Sequence, residues 1–187
     1  MKKGKCFSAV NRGQRKKSDF YQTPYSMTKQ LMERVNFQND VFEPAYGEGA
    51  IVNIVKPYNY CSYDTTENYN FLNETLKPAN IITNPPFSLA YEFIEKAKEL
   101  VHFKTAMLLP LQYLHGQKRY DGKIFKELKE IFVFTRYPLL TDKIRKDGKY
   151  NTGMIAYAWY IWEKGHTEKP VINWVDNQKY VLKKGVK

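Results

Sequence analysis

Cysteine and histidine are scarce in this chain. There are two cysteines, Cys6 and Cys61, and three histidines, His102, His115 and His166, in 187 residues. None of the five has the paired close spacing of a zinc site, and two cysteines allow at most one bridge. Neither a protein-bound metal nor a disulfide framework is expected. No apolar run is long enough to span a bilayer. The first twenty residues, "MKKGKCFSAVNRGQRKKSDF", are basic but lack the apolar segment of a signal peptide. A soluble, cytoplasmic protein is expected. Acids are also in short supply: 19 Asp and Glu face 30 Lys and Arg, for a net charge of +11 and a pI near 9.4. That imbalance favours a polyanionic partner, either nucleic acid or an anionic membrane surface.

What is present is an ordinary globular composition, 43% hydrophobic, in a chain long enough for one domain with its own core. Residues 1–18 carry Lys2, Lys3, Lys5, Arg12, Arg15, Lys16 and Lys17, with no acid before Asp19. They read as a flexible basic arm, either solubilising or in contact with phosphates. Residues 19–187 read as a single domain. "TPYSMTKQLMERV" predicts a helix with Thr23 as N-cap, Pro24 in the first turn, and Met27, Leu31 and Val35 on one face. "VFEPAYGEGAIVNIV" predicts a strand, a glycine loop and a short helix. "YCSYD" and "ANIITNPPF" predict two further strands. "SLAYEFIEKAKELV" predicts an amphipathic helix capped by Ser88, with Leu89, Phe93, Ile94, Ala97 and Val101 on its apolar side. "KTAMLLPL", "IFVFTRYP" and "GMIAYAWYIWEKG" predict strands, and "GKIFKELKE" a helix. Such alternation implies βαβ units and a mainly parallel sheet. Two long basic stretches interrupt it, "LQYLHGQKRYDGK" and "LLTDKIRKDGKYNTG", and both read as loops.

In parallel sheets ligands sit beyond the carboxyl ends of the strands. Two features lie at such ends here. "EPAYGEG" follows the first strand, with Glu43, Pro44, Ala45, Gly47 and Gly49; its glycines allow a tight turn and close backbone approach. Asp64 ends the second strand, where an acid commonly accepts from ribose hydroxyls. The third glycine of the dinucleotide fingerprint is missing, and Glu43 is a poor neighbour for a pyrophosphate. The set suits a nucleoside ligand with positive charge and no phosphates, such as S-adenosylmethionine.

The ordered series "YQTP", "EPAYGEGA", "YD", "NFL" and "NPPF" resembles the amino-methyltransferases that methylate exocyclic nitrogens of nucleic-acid bases. The closing "YAWYIWEKG" is similar to small phage-type DNA adenine methyltransferases. The resemblance covers roughly residues 19 to 165. It implies a Rossmann-like class I methyltransferase fold: α/β, a mainly parallel seven-stranded sheet with helices on both faces. It implies methyl transfer from S-adenosylmethionine to adenine N6 in DNA, in a bacterial cytoplasm or that of a phage's host. The Asn84 side-chain oxygen and the Pro85 carbonyl would accept the two protons of the target amino group. Pro85 and Pro86 would hold these acceptors, and Phe87 would stack on a base flipped from its duplex. Tyr21 and Thr23 resemble the family's residues near the methionine tail, and Asp64 those at the ribose. Asn70, where the family often has Asp, would accept from the cofactor's adenine next to Phe71. Family members often sandwich the base with a second aromatic; Tyr150 and Met154 are the candidates.

No separate target-recognition domain fits in the remaining residues. Phosphate contact would fall to Lys118, Arg119, Lys143, Arg145, Lys146 and Lys149, which position the protein without reading sequence. A short target, or a specificity-conferring protein partner, is expected. Two alternatives stand. RNA is one, since structured-RNA adenine methyltransferases also carry Asn-Pro-Pro-Phe. A catalytically inactive nucleic-acid-binding relative is the other, against which the intact Asn84–Phe87 motif argues.

Overall fold

Helix α1 (Tyr25–Met32) is the first regular element in the computed structural model, which describes residues 22–57, 61–63, 69–135 and 155–177. Met27, Leu31 and Val35 are buried, as their four-residue spacing predicts. The predicted cap is not formed. Pro24 occupies the cap position in an extended conformation, and no side chain caps the helix. Thr23 lies outside it, with its hydroxyl engaged elsewhere.

Strand β1 (Val41–Glu43), helix α2 (Val52–Val55), strand β2 (Cys61–Tyr63) and strand β3 (Asn80–Thr83) follow, then helix α3 (Ala90–Leu100) and strand β4 (Lys104–Pro110). A short helix α4 (Gln117–Asp121) leads to strands β5 (Leu128–Phe134), β6 (Tyr157–Glu163) and β7 (Val171–Val175). The strands form one mixed sheet in the order β2-β1-β3-β4-β6-β5-β7. The pairs β1–β2, β1–β3, β3–β4 and β5–β7 are parallel. Strand β6 runs antiparallel between β4 and β5, with Pro110 opposite Tyr157 and Lys104 opposite Glu163.

Alternate residues of the central strands face opposite ways, as the strand period of two requires. Ile81, Met107, Leu109, Tyr160 and Trp162 pack with Phe93, Ile94 and Ala97 of α3. Ile82, Ala106, Leu108, Trp159 and Ile161 pack with Met27 and Leu31 of α1 and Val55 of α2. The aromatic run in β6 is therefore core on both faces, and its polar atoms are used. Trp159 Nε1 donates to the Met27 carbonyl at 3.0 Å, Trp162 Nε1 to Ile124 at 2.8 Å, and the Tyr160 hydroxyl to Pro110 at 3.1 Å. The end of β7 is tied to α1 as well. Gln30 Nε2 donates to the Asp176 carbonyl at 2.6 Å, and Asn177 Nδ2 donates to Ser26 Oγ at 3.1 Å. These bonds hold α1, and the residues just before it, against the sheet.

Three local expectations need correction. "GKIFKELKE" is not a helix. Lys123 and Glu127 adopt positive φ, 54° and 68°, and the segment turns before β5 begins at Leu128. Pairing of Leu128 with Trp162 and burial of Ile124 outweigh the local helical preference. Ser88 does not cap α3, because Phe87–Leu89 form a 3₁₀ turn and α3 starts after Leu89 with no side-chain cap. Leu89 is consequently exposed rather than on the buried face. Within "LQYLHGQKRYDGK", read as a loop, lie a 3₁₀ turn at Leu111–Leu114 and helix α4.

Candidate active site

The carboxyl ends of β1 and β3 lie side by side, because the two strands are parallel neighbours. The loops that leave them, with the residues preceding α1, border an open cleft. Gln22, Thr23, Glu43, Ala45, Tyr46, Gly47, Glu48, Ala50, Ile51, Asn84, Pro85, Pro86 and Phe87 line it. Segments far apart in the chain thus meet in one place.

Glu43 forms the floor, 1% exposed. Its Oε1 accepts from the Ala45 amide at 2.8 Å and from the Thr83 hydroxyl at 2.6 Å. Its Oε2 is buried and has no hydrogen-bond partner among the described residues. Burial pushes the carboxyl from 4.5 up to about 8, against the downward pull of the Thr83 and Ala45 bonds. A buried acid with an unsatisfied oxygen in a cleft wall suits a donor-rich, cationic ligand. The turn above it depends on glycine. Gly47 and Gly49 have φ of 55° and 76°, and a Cβ on Gly49 would stand 2.8 Å from the Tyr46 hydroxyl oxygen.

Asn84 follows β3 directly and is half-buried. Its Nδ2 donates to Thr23 Oγ1 at 3.0 Å, joining residues 61 positions apart. Pro85 is buried and Pro86 extended, so the backbone beyond Asn84 is stiff. Phe87 packs on Tyr157 of β6, with ring centroids 5.7 Å apart and planes tilted by 35°.

Several predicted site residues do not line the cleft. Asn70 is exposed, and its Oδ1 accepts from the Leu72 amide at 3.0 Å, capping a 3₁₀ turn. Phe71 is in the core, 4.9 Å from the Phe93 ring. Pro44 and Gly49 are buried within the turn that shapes the cleft rather than in its lining. Arg119 stacks over the Tyr113 ring at 4.0 Å and donates to the His115 carbonyl. Lys118 sits over the Tyr91 ring at 4.3 Å and 3.8 Å from Glu92. Tyr21, Asp64, Lys143, Arg145, Lys146, Lys149, Tyr150, Met154 and the basic arm 1–18 lie outside the described residues. Sequence reasoning misses Thr83, Tyr46 and Tyr157. Thr83 alone leaves a trace, as the polar residue closing an apolar strand. Among the described residues, no group of three or more His, Cys, Asp or Glu is placed to hold a metal, and no helix is long and apolar enough to cross a membrane.

No family model and no curated protein sequence matches the chain. Solved structures do. The M protein of the type I restriction enzyme EcoKI superposes with a TM-score of 0.54 at 13% identity, over 84% of this chain and 49% of that one. A type I restriction-modification methyltransferase subunit from Streptococcus thermophilus gives 0.54 at 13% identity, over 83% and 46%. A predicted O-methyltransferase from Agrobacterium tumefaciens gives 0.52 at 8% identity, over 82% and 86%. The chain spans about half the length of the two restriction-modification subunits. It has a Rossmann-like methyltransferase fold, and the fold alone does not choose a methyl acceptor.

Proposed function

We propose that this chain transfers a methyl group from S-adenosylmethionine to the exocyclic N6 of adenine in DNA, and that it is one of the small phage-type adenine methyltransferases. One observation carries the reading. The Glu43–Gly47 loop and the Asn84-Pro85-Pro86-Phe87 loop line a single cleft, and Asn84 is locked to Thr23. On this reading the first loop would hold the cofactor and the second the base, next to each other in that cleft.

The residues fit a cationic nucleoside ligand. Glu43 offers a buried carboxyl oxygen with no hydrogen-bond partner among the described residues, which would ionise beside a cation, and the turn at Gly47 lets backbone amides approach a ligand closely. Glu43, Ala45, Gly47 and Thr23 would hold the cofactor, with Asp64 and Tyr21 as further proposed contacts. When bound, the cofactor supplies an electrophilic methyl group on a sulfonium. The chain's own task is the nucleophile. An adenine amino group is weakly nucleophilic, because its lone pair is delocalised into the ring. Asn84 Oδ1 and the Pro85 carbonyl would accept its two protons, favouring a tetrahedral nitrogen and the positive charge that develops on it. Phe87, backed by Tyr157, would stack on the flipped base, an interaction worth about 1–3 kcal/mol. Much of the acceleration would come from holding the reacting atoms in line. Target readout would fall to the basic loops, including Lys118 and Arg119, or to a protein partner, and the reaction would take place in the cytoplasm.

The test is a transfer assay with labelled S-adenosylmethionine against duplex DNA, single-stranded DNA and structured RNA, followed by nucleoside digestion. The expected product is N6-methyladenine on deoxyribose. The same base on ribose would replace DNA with RNA as the substrate. The Asn84→Ala variant is expected to lose transfer while keeping cofactor affinity within a few-fold. A variant at wild-type rate would remove Asn84 from the chemistry.

A further inference from the structure

We infer that Thr23 is a positioning residue for Asn84: its hydroxyl sets which end of the Asn84 amide faces the target base. The inference rests on the methyl-transfer reading above and adds to it a residue that acts through another.

An asparagine side chain carries a donor and an acceptor at two similar ends, and a 180° flip exchanges them. Only one orientation serves methyl transfer, since the target amino group brings protons and needs an acceptor. An amide with its NH₂ turned to the base would repel it. The amide's orientation must therefore be defined from outside. A hydroxyl can accept from Nδ2 or donate to Oδ1, so Thr23 defines the orientation once a cofactor acceptor takes the hydroxyl hydrogen and leaves Oγ1 an acceptor only. Asn84 Nδ2 donates to Thr23 Oγ1 at 3.0 Å. With Nδ2 committed there, Oδ1 occupies the other branch of the amide.

Thr23 is well suited to the task. It is 4% exposed, so water competes little for the bond. It does not cap α1, although its position in the sequence suits a cap. Pro24 fixes the backbone behind it, and α1 is anchored to the sheet through Met27, Ser26 and Gln30. The hydroxyl that meets Asn84 is thus held by the fold rather than by the loop that carries Asn84. A hydroxyl that accepts from Nδ2 also keeps its own hydrogen, and Thr23 lines the cleft. A cofactor acceptor taking that hydrogen would make the oxygen a better acceptor for Asn84. Filling the cofactor half of the cleft would then firm the base half.

The test compares Thr23→Val, which keeps shape and loses the hydroxyl, with Thr23→Ser, which keeps the hydroxyl. Two readouts are used. The first is the ¹H–¹⁵N signal pair of the Asn84 side-chain amide in the full chain, identified by its loss in Asn84→Ala. Thr23→Val should shift this pair and Thr23→Ser should leave it near the wild-type position. Addition of S-adenosylhomocysteine should move it in wild type and Thr23→Ser, and not in Thr23→Val. The second is steady-state transfer at saturating S-adenosylmethionine. Thr23→Val should lower kcat about tenfold or more, a larger factor than its change in cofactor Kd, with Thr23→Ser restoring most of the rate. Unmoved Asn84 signals in Thr23→Val would overturn the inference. So would a Thr23→Val enzyme whose only defect is weak cofactor binding, with kcat intact. If wild type transfers no methyl to any nucleic acid, the functional reading fails, while the amide signals still decide whether Thr23 holds Asn84.

Discussion

Replacing Glu43 by glutamine should make the protein's stability far less sensitive to pH. The Glu43 carboxyl is raised to about 8 in the folded state by burial, from 4.5 when exposed. Below pH 4.5 the group is protonated in both states and contributes nothing to the dependence. As pH rises from 4.5 towards 8, the unfolded chain loses the proton and the folded chain keeps it. Stability then falls by about 1.4 kcal/mol per pH unit, and it levels off above about pH 8. Between about pH 5.5 and 7.5 the predicted loss is about 2 to 3 kcal/mol. A glutamine side chain in its place keeps a carbonyl oxygen that can accept from Ala45 and Thr83, and it has no proton to lose. The assay is urea unfolding of both proteins at the two pH values, comparing the difference between them so that other titrating groups cancel. Glu43→Gln should gain on wild type by about 2 to 3 kcal/mol over the interval. A difference that stays constant would refute the account, and would mean that Glu43 ionises as an ordinary solvated acid.

Binding should carry the same signature. If a cationic ligand requires ionised Glu43, affinity for S-adenosylmethionine should rise about tenfold between about pH 7 and 9, with proton release seen by calorimetry in buffers of different ionisation enthalpy. A flat profile would separate Glu43 from the cation. Gly49→Ala should destabilise by about 1 to 3 kcal/mol in chemical unfolding, since it places a Cβ at φ 76° and 2.8 Å from the Tyr46 hydroxyl oxygen. Trp159→Phe should cost about 2 to 4 kcal/mol, from a cavity beneath α1 and the lost bond to Met27. Loss of less than about 1 kcal/mol would show that α1 is held by its other contacts.

The lining of the cleft is more legible in the sequence than the local structure. Glu43, Gly47 and Asn84–Phe87 announce themselves by residue type at the ends of apolar strands, where proline and glycine leave few conformations. Strands whose neighbours decide their fate are harder. "GKIFKELKE" has a helical spacing, and only its pairing to β6 turns it into a bend and a strand. Strand β7 escapes sequence reading because Val171, Ile172 and Trp174 are exposed, so its pattern lacks the burial alternation that marks a strand. Thr23 and Asn70 show a subtler limit. Both are polar residues able to cap a turn, and the sequence assigns the cap to Thr23 and a ligand to Asn70. The fold makes Asn70 a cap, and gives Thr23 to Asn84 across 61 positions. Such long-range partners leave no local pattern to read.

The reversed direction of β6 has a consequence for how this protein could diversify. Strand β5 ends at Phe134, and β6 begins at Tyr157, opposite Pro110 and against Phe87. The segment between them therefore departs from, and returns to, the rim of the sheet that holds Asn84. Its two anchor points are fixed by strand pairing, whatever its length or composition. A change in what joins the two strand ends need not disturb the sheet beneath them.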